Sequence, residues 1–500
     1  MSGLIAIAMQ FIEKFPKLFR SIQFIGRKII RGYWRVREFI EPIGIWIKVK
    51  ILWQIRLKYN QLLEAVKEVF REIPYKIQVF RWRMECICSF FGIHSVLDGG
   101  TDSNLVVMMG VVDLRHDPRI EREARALAAA GWKVVILCPT LGNNIENEVD
   151  WGPGVAIQLV SIRASRFTFR WPGFIGDELF AALLEHRPFA YHAHDLNMAF
   201  IAFAAARRTR AKVLVDFHEW YSENVTYDAS KQRYAPHAWP QRTAYRWLER
   251  HSLRRADAVV TVCDSIADAM ATELGDDRRP EVVRNIPSLA AVPTRAYQSL
   301  KKELGLSESQ FVLLYQGGLG PSRLIEPIVE ALAHAPSCTL VIRGPQIEKW
   351  GPGYAAIAAR IGVADRLVLA PAVPSRDVVA AARGADAGIY TVLGVCRNFV
   401  LALPNKVFEY MASGMPLLVA DYPEVSRLVK RFDVGLTFQP EDPHSIARAI
   451  NTLVDDRELR SRMERSTQQA LVEMDANNEW ERMAAIYQRL RAEGAQKAAA

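Results

Sequence analysis

Short apolar runs punctuate the chain from Leu105 onward, separated by stretches with helical spacing. The first series is LVVMMG (105–110), KVVILC (133–138), VAIQLV (155–160), FAYHAHD (189–195), KVLVDFHE (212–219), AVVTVC (258–263) and EVVRN (281–285). Residues 119–130 and the stretch after Leu196 read as crossover helices. This β-α-β rhythm predicts a parallel sheet. A polar, proline-bearing stretch, NIPSLAAVPTRAYQ (286–299), reads as a linker. The rhythm then restarts with FVLLYQGG (311–318), TLVIRG (339–344), RLVLAP (366–371), DAGIY (386–390), MPLLVA (415–420) and VGLTF (434–438). Two doubly wound sheets in tandem place their carboxyl-end crevices face to face, and ligands bind in such crevices. The last helical stretch, Glu479 to Leu490, carries Trp480 and Tyr487 and is expected to pack back across the first half. The expected architecture is α/β: two Rossmann-like domains over 101–290 and 300–475, then a returning helix and tail over 476–500.

Residues 1–100 follow other rules. From Phe11 to Ile40 the apolar positions Phe11, Phe15, Leu18, Ile22, Ile25, Ile29, Tyr33, Val36 and Ile40 recur at three- and four-residue steps. Lys14, Lys17, Arg20, Arg27, Lys28, Arg31 and Arg35 fall on the other side. Residues 43–59 alternate with a strand period, and 61–73 return to helical spacing before Pro74. Charge sharpens the contrast. Residues 1–100 hold 17 Lys+Arg against 8 Asp+Glu, a net of +9; the rest holds 64 − 17 = 47 basic and 55 − 8 = 47 acidic residues. A basic head on a neutral body argues against nucleic acid as a partner and for an anionic membrane surface. An apolar stripe opposite a Lys/Arg face describes a helix lying in the bilayer interface. The blander alternative is an extra helical layer packed on the body. The six cysteines are scattered without zinc or redox spacing, which fits a reducing compartment. No signal peptide or spanning segment is recognised, so the expected location is cytoplasmic, peripheral on the inner face of a membrane.

Three segments carry candidate chemistry. Gly317-Gly318-Leu319-Gly320 follows a predicted strand, where glycines let backbone N–H groups approach an anion, and Arg323 follows as a fork for phosphate oxygens. In LPNKVFEYMASGMP (403–416), Asn405, Lys406 and Glu409 lie within one helical turn. A carboxylate there can accept two hydrogen bonds from a ribose diol, beside a lysine that reaches phosphate. His192-Ala193-His194-Asp195 ends one predicted strand and His218-Glu219 ends a later one, so His194, Asp195, His218 and Glu219 can meet at the crevice. No Asp-x-Asp occurs anywhere in the chain. Phosphate charge is then expected to be met by Arg, Lys, backbone N–H groups and helix dipoles, without a metal or other cofactor.

With these segments in order, residues 104–490 resemble family 4 of the retaining glycosyltransferases, which have the GT-B fold. Asp117-Pro118-Arg119, HAHD (192–195), DFHE (216–219), VVRNIP (282–287), YQGGLG (315–320), LPNKVFEYMASGMP (403–416) and GLTFQPEDP (435–443) carry the resemblance. It implies that Glu409 binds the donor ribose and that His194 lies near the donor sugar. Arg323 stands where the family usually has a phosphate-binding lysine. The sequence departs from the family at Gly318, where many members have a phosphate-binding arginine; Arg343 or Lys406 is the expected substitute. It departs again at Leu401, where many have a sugar-contacting glutamate. The resemblance implies metal-independent transfer, with retention, from a nucleoside diphosphate sugar. The head adds the expectation of a lipid-linked or other glycan acceptor at a membrane, as in polysaccharide or glycolipid synthesis. A nucleotide-sugar epimerase and a catalytically silent membrane-bound scaffold of the same fold remain the alternatives.

Overall fold

The computed structural model describes residues 56–58, 60, 61, 64, 78–93, 95–97, 100–111, 114–141, 149–162, 177–228, 230–275, 278–287, 297–474 and 478–499. The chain divides into two units, Met1–Phe80 and Arg81–Ala500. In the first, residues 56–58, 60, 61, 64 and 78–80 are helical. The amphipathic stripe over 11–40 and most of the patterns over 43–59 and 61–73 lie outside the described residues. No described helix is long and apolar enough to cross a membrane.

The second unit holds two parallel sheets. The first comprises β1 (Asp102–Met109), β2 (Lys133–Leu141), β3 (Val155–Ile162), β4 (Pro188–His194), β5 (Lys212–Phe217), β8 (Ala258–Thr261) and β9 (Glu281–Val282), in the order β3-β2-β1-β4-β5-β8-β9. The second comprises β10 (Phe311–Gln316), β11 (Cys338–Gly344), β12 (Leu367–Pro371), β13 (Ala387–Tyr390), β14 (Leu417–Ala420) and β15 (Gly435–Phe438), in the order β12-β11-β10-β13-β14-β15. Each apolar run of the two series is therefore a strand, to within a few residues. Both sheets reverse their winding beside the first strand of the set, between β1 and β4 and between β10 and β13. Ligands bind at such switch points, outside the carboxyl ends of the strands. A short antiparallel hairpin, β6 (Val225–Asp228) with β7 (Arg233–Pro236), has no counterpart in the sequence pattern; its part-exposed strands are too short, at four residues each, to set a period.

Burial explains the uninterrupted apolar runs. All six residues of β10 and all seven of β11 are buried, because helices cover both faces of the sheet. The helix Glu479–Ala499 returns to the first sheet as expected: Trp480, Met483, Tyr487 and Leu490 join the cluster of Val106, Trp132 and Ile136. Trp132 and Tyr487 lie 5.6 Å apart. The second unit begins before the boundary near 100 that charge suggests. Residues 81–90 are helical, and Cys86 and Phe90 share a core cluster with Phe203 and Leu248.

Candidate functional site

The first half of the site is built on helix Pro118–Ala129 and the ends of β4 and β5. Asp117 caps the helix by accepting from the N–H groups of Arg119 and Ile120. Arg119 and Glu123, four residues apart, point inward with Ile120, Ala124 and Leu127. Arg119 grips Asp216 of β5 through Nε at 3.0 Å and Nη2 at 2.9 Å, and Nη1 donates to the Val283 carbonyl. Glu123 lies 2.9 Å from Arg119 Nε. Asp216 Oδ2 also faces His218 Nε2 at 3.1 Å, and His194 Nδ1 lies 3.4 Å from that same nitrogen. His218 Nδ1 is 3.7 Å from Asp195. Asp195 sits at φ 69°, a backbone conformation that costs a non-glycine residue free energy and that clusters at functional sites.

The charges in this network follow from burial and partners. Burial works to raise the Asp216 carboxyl, but Arg119 and His218 hold it well below the usual carboxylate range. Burial works to lower His218, yet Asp195 and Asp216 raise it to about 9. His218 is thus an imidazolium at neutral pH, a donor rather than a base. Burial pushes Glu123 up to about 8 despite Arg119, and it drives His192 well below its ordinary value. His194 is 1% exposed, stacked on His192, and its Nε2 has no partner among the described residues. Of the two paired histidines, His218 reaches the cleft and His194 stands behind it. Glu219 is pushed up by burial and Asp195 and drawn down by His218 and Arg323, and its Oε2 accepts from Asn224 Nδ2 at 2.6 Å.

Glu123, His192, His194 and Asp216 each bring one ligand atom within 4.8 Å of the others, a set that a small divalent cation could use. Asp216 Oδ2 already accepts from Arg119 and His218, however, and Arg119 lies 2.9 Å from both carboxylates. The positive charge that a cation would supply is already present in the fold.

The second half of the site is built on the turn after β10 and on helix Asn405–Ala412. Gly317 and Gly320 take φ of 134° and 133°, accessible to glycine and strained for other residues. A Cβ on Gly317 would lie 2.3 Å from Lys406 Cε, so the lysine stem fills the space above the turn. Arg323 stands beside Gly318, its guanidinium 4.0 Å from where a Cβ would be. Tyr410 fixes the helix to β10 by accepting from the Gln316 N–H at 2.8 Å. Burial, with Arg323 nearby, lowers Lys406 to about 8, and Glu409 opposes that shift. Burial raises Glu409, against Lys406 and Arg122. Lys406, Glu409, Arg323 and the glycines therefore meet as the sequence predicts, while Asn405 is exposed at the helix start.

Arg343 does not join them, which corrects its expected phosphate role. It is 1% exposed, donates to the Ala381 carbonyl at 2.9 Å and pairs with Glu303 at 2.8 Å. Its strand position turns it into the fold of the second half. Leu401, at the position of the missing glutamate, is half-buried, and its carbonyl accepts from Cys263 Sγ of the first half. The same short helix, Arg397–Leu401, supplies Asn398, whose Oδ1 accepts from the Trp220 N–H at 2.8 Å. That helix ties the two halves together at the cleft.

Sequence reasoning missed the network of Arg119, Glu123 and Asp216. Its one signal was a charged pair at i, i+4 on the apolar face of an amphipathic helix.

Residues 117–286 match the glycosyl transferase 4-like domain family, and residues 297–470 match glycosyl transferases group 1. The chain belongs to the group 1 glycosyltransferases of GT-B fold. This glycosyltransferase is 28% identical over 236 residues to D-inositol 3-phosphate glycosyltransferase of Corynebacterium glutamicum, a match covering 45% of this chain and 55% of that one. The chain thus spans about half the length of the curated relatives it matches. Sucrose-phosphate synthase of Thermosynechococcus elongatus shares the fold at TM-score 0.60 and 16% identity, over 79% of this glycosyltransferase and 100% of that chain. Anabaena HepE, solved in complex with UDP-glucose, shares it at TM-score 0.54 and 14% identity, over 78% and 99%.

Proposed function

We propose that the chain transfers a sugar from a nucleoside diphosphate sugar to a membrane-associated lipid-linked or glycan acceptor, retaining anomeric configuration and using no bound metal. The observation that carries this reading is the meeting of Glu409, Lys406 and Arg323 around the Gly317 turn, opposite His218 and Glu219. HepE, a chain of the same fold, binds UDP-glucose, which supports a nucleotide-sugar donor here. Glu409 accepts from the ribose diol. Lys406, Arg323 and the turn N–H groups meet the charge that grows on the leaving diphosphate, each well-placed donor contributing about 3 kcal/mol. The bond from the anomeric carbon to the phosphate oxygen breaks, the acceptor oxygen bonds on the same face, and the acceptor proton passes to the leaving phosphate. The His218 imidazolium stands opposite as a fixed donor.

The test is release of nucleoside diphosphate from a panel of nucleotide sugars by full-length protein, with and without membrane extract as acceptor. A scaffold releases none; an epimerase converts the donor without consuming acceptor. Activity is expected to survive EDTA, because Arg and Lys rather than a carboxylate pair face the phosphates. Complete loss in EDTA with recovery in Mg²⁺ would refute the metal-independent mechanism.

The membrane part rests on the charge of residues 1–100. Full-length protein is expected to sediment with anionic vesicles and to be released only in part by 1 M salt, which shortens the Debye length from about 10 Å at 0.1 M to about 3 Å. Protein that stays in the supernatant at low salt rules out the membrane role.

A further inference from the structure

The cations facing the donor leave a deficit. On the side of the Gly317 turn, Lys406 and Arg323 supply two positive charges and Glu409 removes one. Arg343 is bound inside the fold, and Gly318 carries no side chain. A nucleoside diphosphate brings more negative charge than this remainder offsets.

A further cation approaches from the other half. Arg122 lies on helix Pro118–Ala129, one turn after Arg119. Arg119 has Asp216 and Glu123 as partners, whereas Arg122 forms no ion pair among the described residues. Arg122 Nη2 donates to Asn285 Oδ1 at 2.5 Å, and its guanidinium lies 5.2 Å from the centre of the Trp480 ring. Nε is buried and has no hydrogen-bond partner among the described residues. Asn285 and Trp480 therefore aim the side chain, and Glu409 is the donor-side carboxylate that acts on it. A part-buried guanidinium aimed by an indole ring and one amide, with an N–H that has no partner among the described residues, is prepared for an anion.

We propose that Arg122 is a donor-binding residue supplied by the acceptor-side half, its guanidinium meeting the ribose-phosphate of the nucleoside diphosphate beside Glu409. This rests on the reading of the cleft as a nucleotide-sugar site. It gives donor binding a dependence on both halves of the fold. Asn285 opens the connection between the sheets and Trp480 opens the returning helix, so the elements that orient Arg122 are those that join the halves.

Calorimetric titration of full-length wild type, Arg122→Gln and Arg122→Ala with UDP, ADP, GDP and the matching nucleosides tests the proposal. Glutamine removes the charge and keeps a donor for Asn285. Both variants are expected to lose roughly tenfold to a hundredfold in affinity for the diphosphate that binds wild type, the range of a charged hydrogen bond. Nucleoside affinity and melting temperature should stay within error. Wild-type diphosphate affinity in Arg122→Gln overturns the proposal. An equal loss for nucleoside and diphosphate, or a lowered melting temperature that accounts for the loss, assigns Arg122 to packing and also overturns it. Failure of wild type to bind any of the diphosphates removes the donor-site reading itself, and this inference with it.

Discussion

Glu409→Ala is expected to lower donor affinity by about two to four orders of magnitude, the effect of losing two hydrogen bonds to a carboxylate at about 1.5–3 kcal/mol each. The same change should not weaken the fold. The Glu409 carboxylate accepts no hydrogen bond among the described residues, and burial pushes its pKa above the ordinary value despite Lys406 and Arg122. A raised carboxyl pKa means that the charged form is less favourable in the fold than in the unfolded chain, so its removal at neutral pH relieves a cost. Helix Asn405–Ala412 keeps its hold through Val407, Phe408, Tyr410 and Met411, which are buried whatever stands at 409. Titration with the nucleoside diphosphate and a thermal melt read the two halves of this expectation separately. Unchanged nucleotide affinity would remove Glu409 from the donor site; a lowered melting temperature would make it a structural residue.

Asp216→Ala has the opposite profile, with stability as the main loss. Asp216 is fully buried and Arg119 is 2% exposed, so truncation leaves a guanidinium in the interior without its bidentate partner. Breaking a buried pair from one side costs about 3–5 kcal/mol. Replacing both partners with apolar side chains, Arg119→Met with Asp216→Leu, should cost less than the single truncation, because no guanidinium is then stranded. Chemical denaturation of the single and double variants makes the comparison. In the fold Asp216 titrates below the ordinary carboxylate range, so its contribution is complete at neutral pH. The gap to wild type should narrow once the pH falls below about 4, where the carboxylate of the unfolded chain takes up a proton while the native one still resists. A gap that widens in acid would mean that another group carries the effect. His218 provides a second readout: without Asp216 its pKa should fall from about 9.

The strands, the two-sheet division and the returning helix were legible in the sequence because each rests on local periodicity. A parallel strand covered on both faces is mostly apolar, and the runs at 311–315 and 340–342 are wholly so. The donor turn and the face shared by Lys406 and Glu409 were legible for a similar reason: both lie within a few residues along the chain, so spacing alone places them. Hairpin β6–β7 was not legible, since part-exposed strands of four residues leave no period to read. Neither was the partnership of Arg119 with Asp216, which joins residues 97 positions apart through the packing of a helix on a sheet.

Tertiary structure alone decided which charged residues are free to meet a ligand. Arg343 lies near the end of β11 and Arg323 in the turn after β10 of the same sheet, and the sequence offers both for phosphate. One pairs with Glu303 inside the fold, and the other stands beside the glycine turn. His194 and His218 likewise both end strands, yet stacking on His192 buries the first and leaves the second at the cleft. The physical reason is common to these cases. Periodicity determines which face of an element a side chain occupies, whereas its partners and its access to the cleft depend on elements that arrive from elsewhere in the chain.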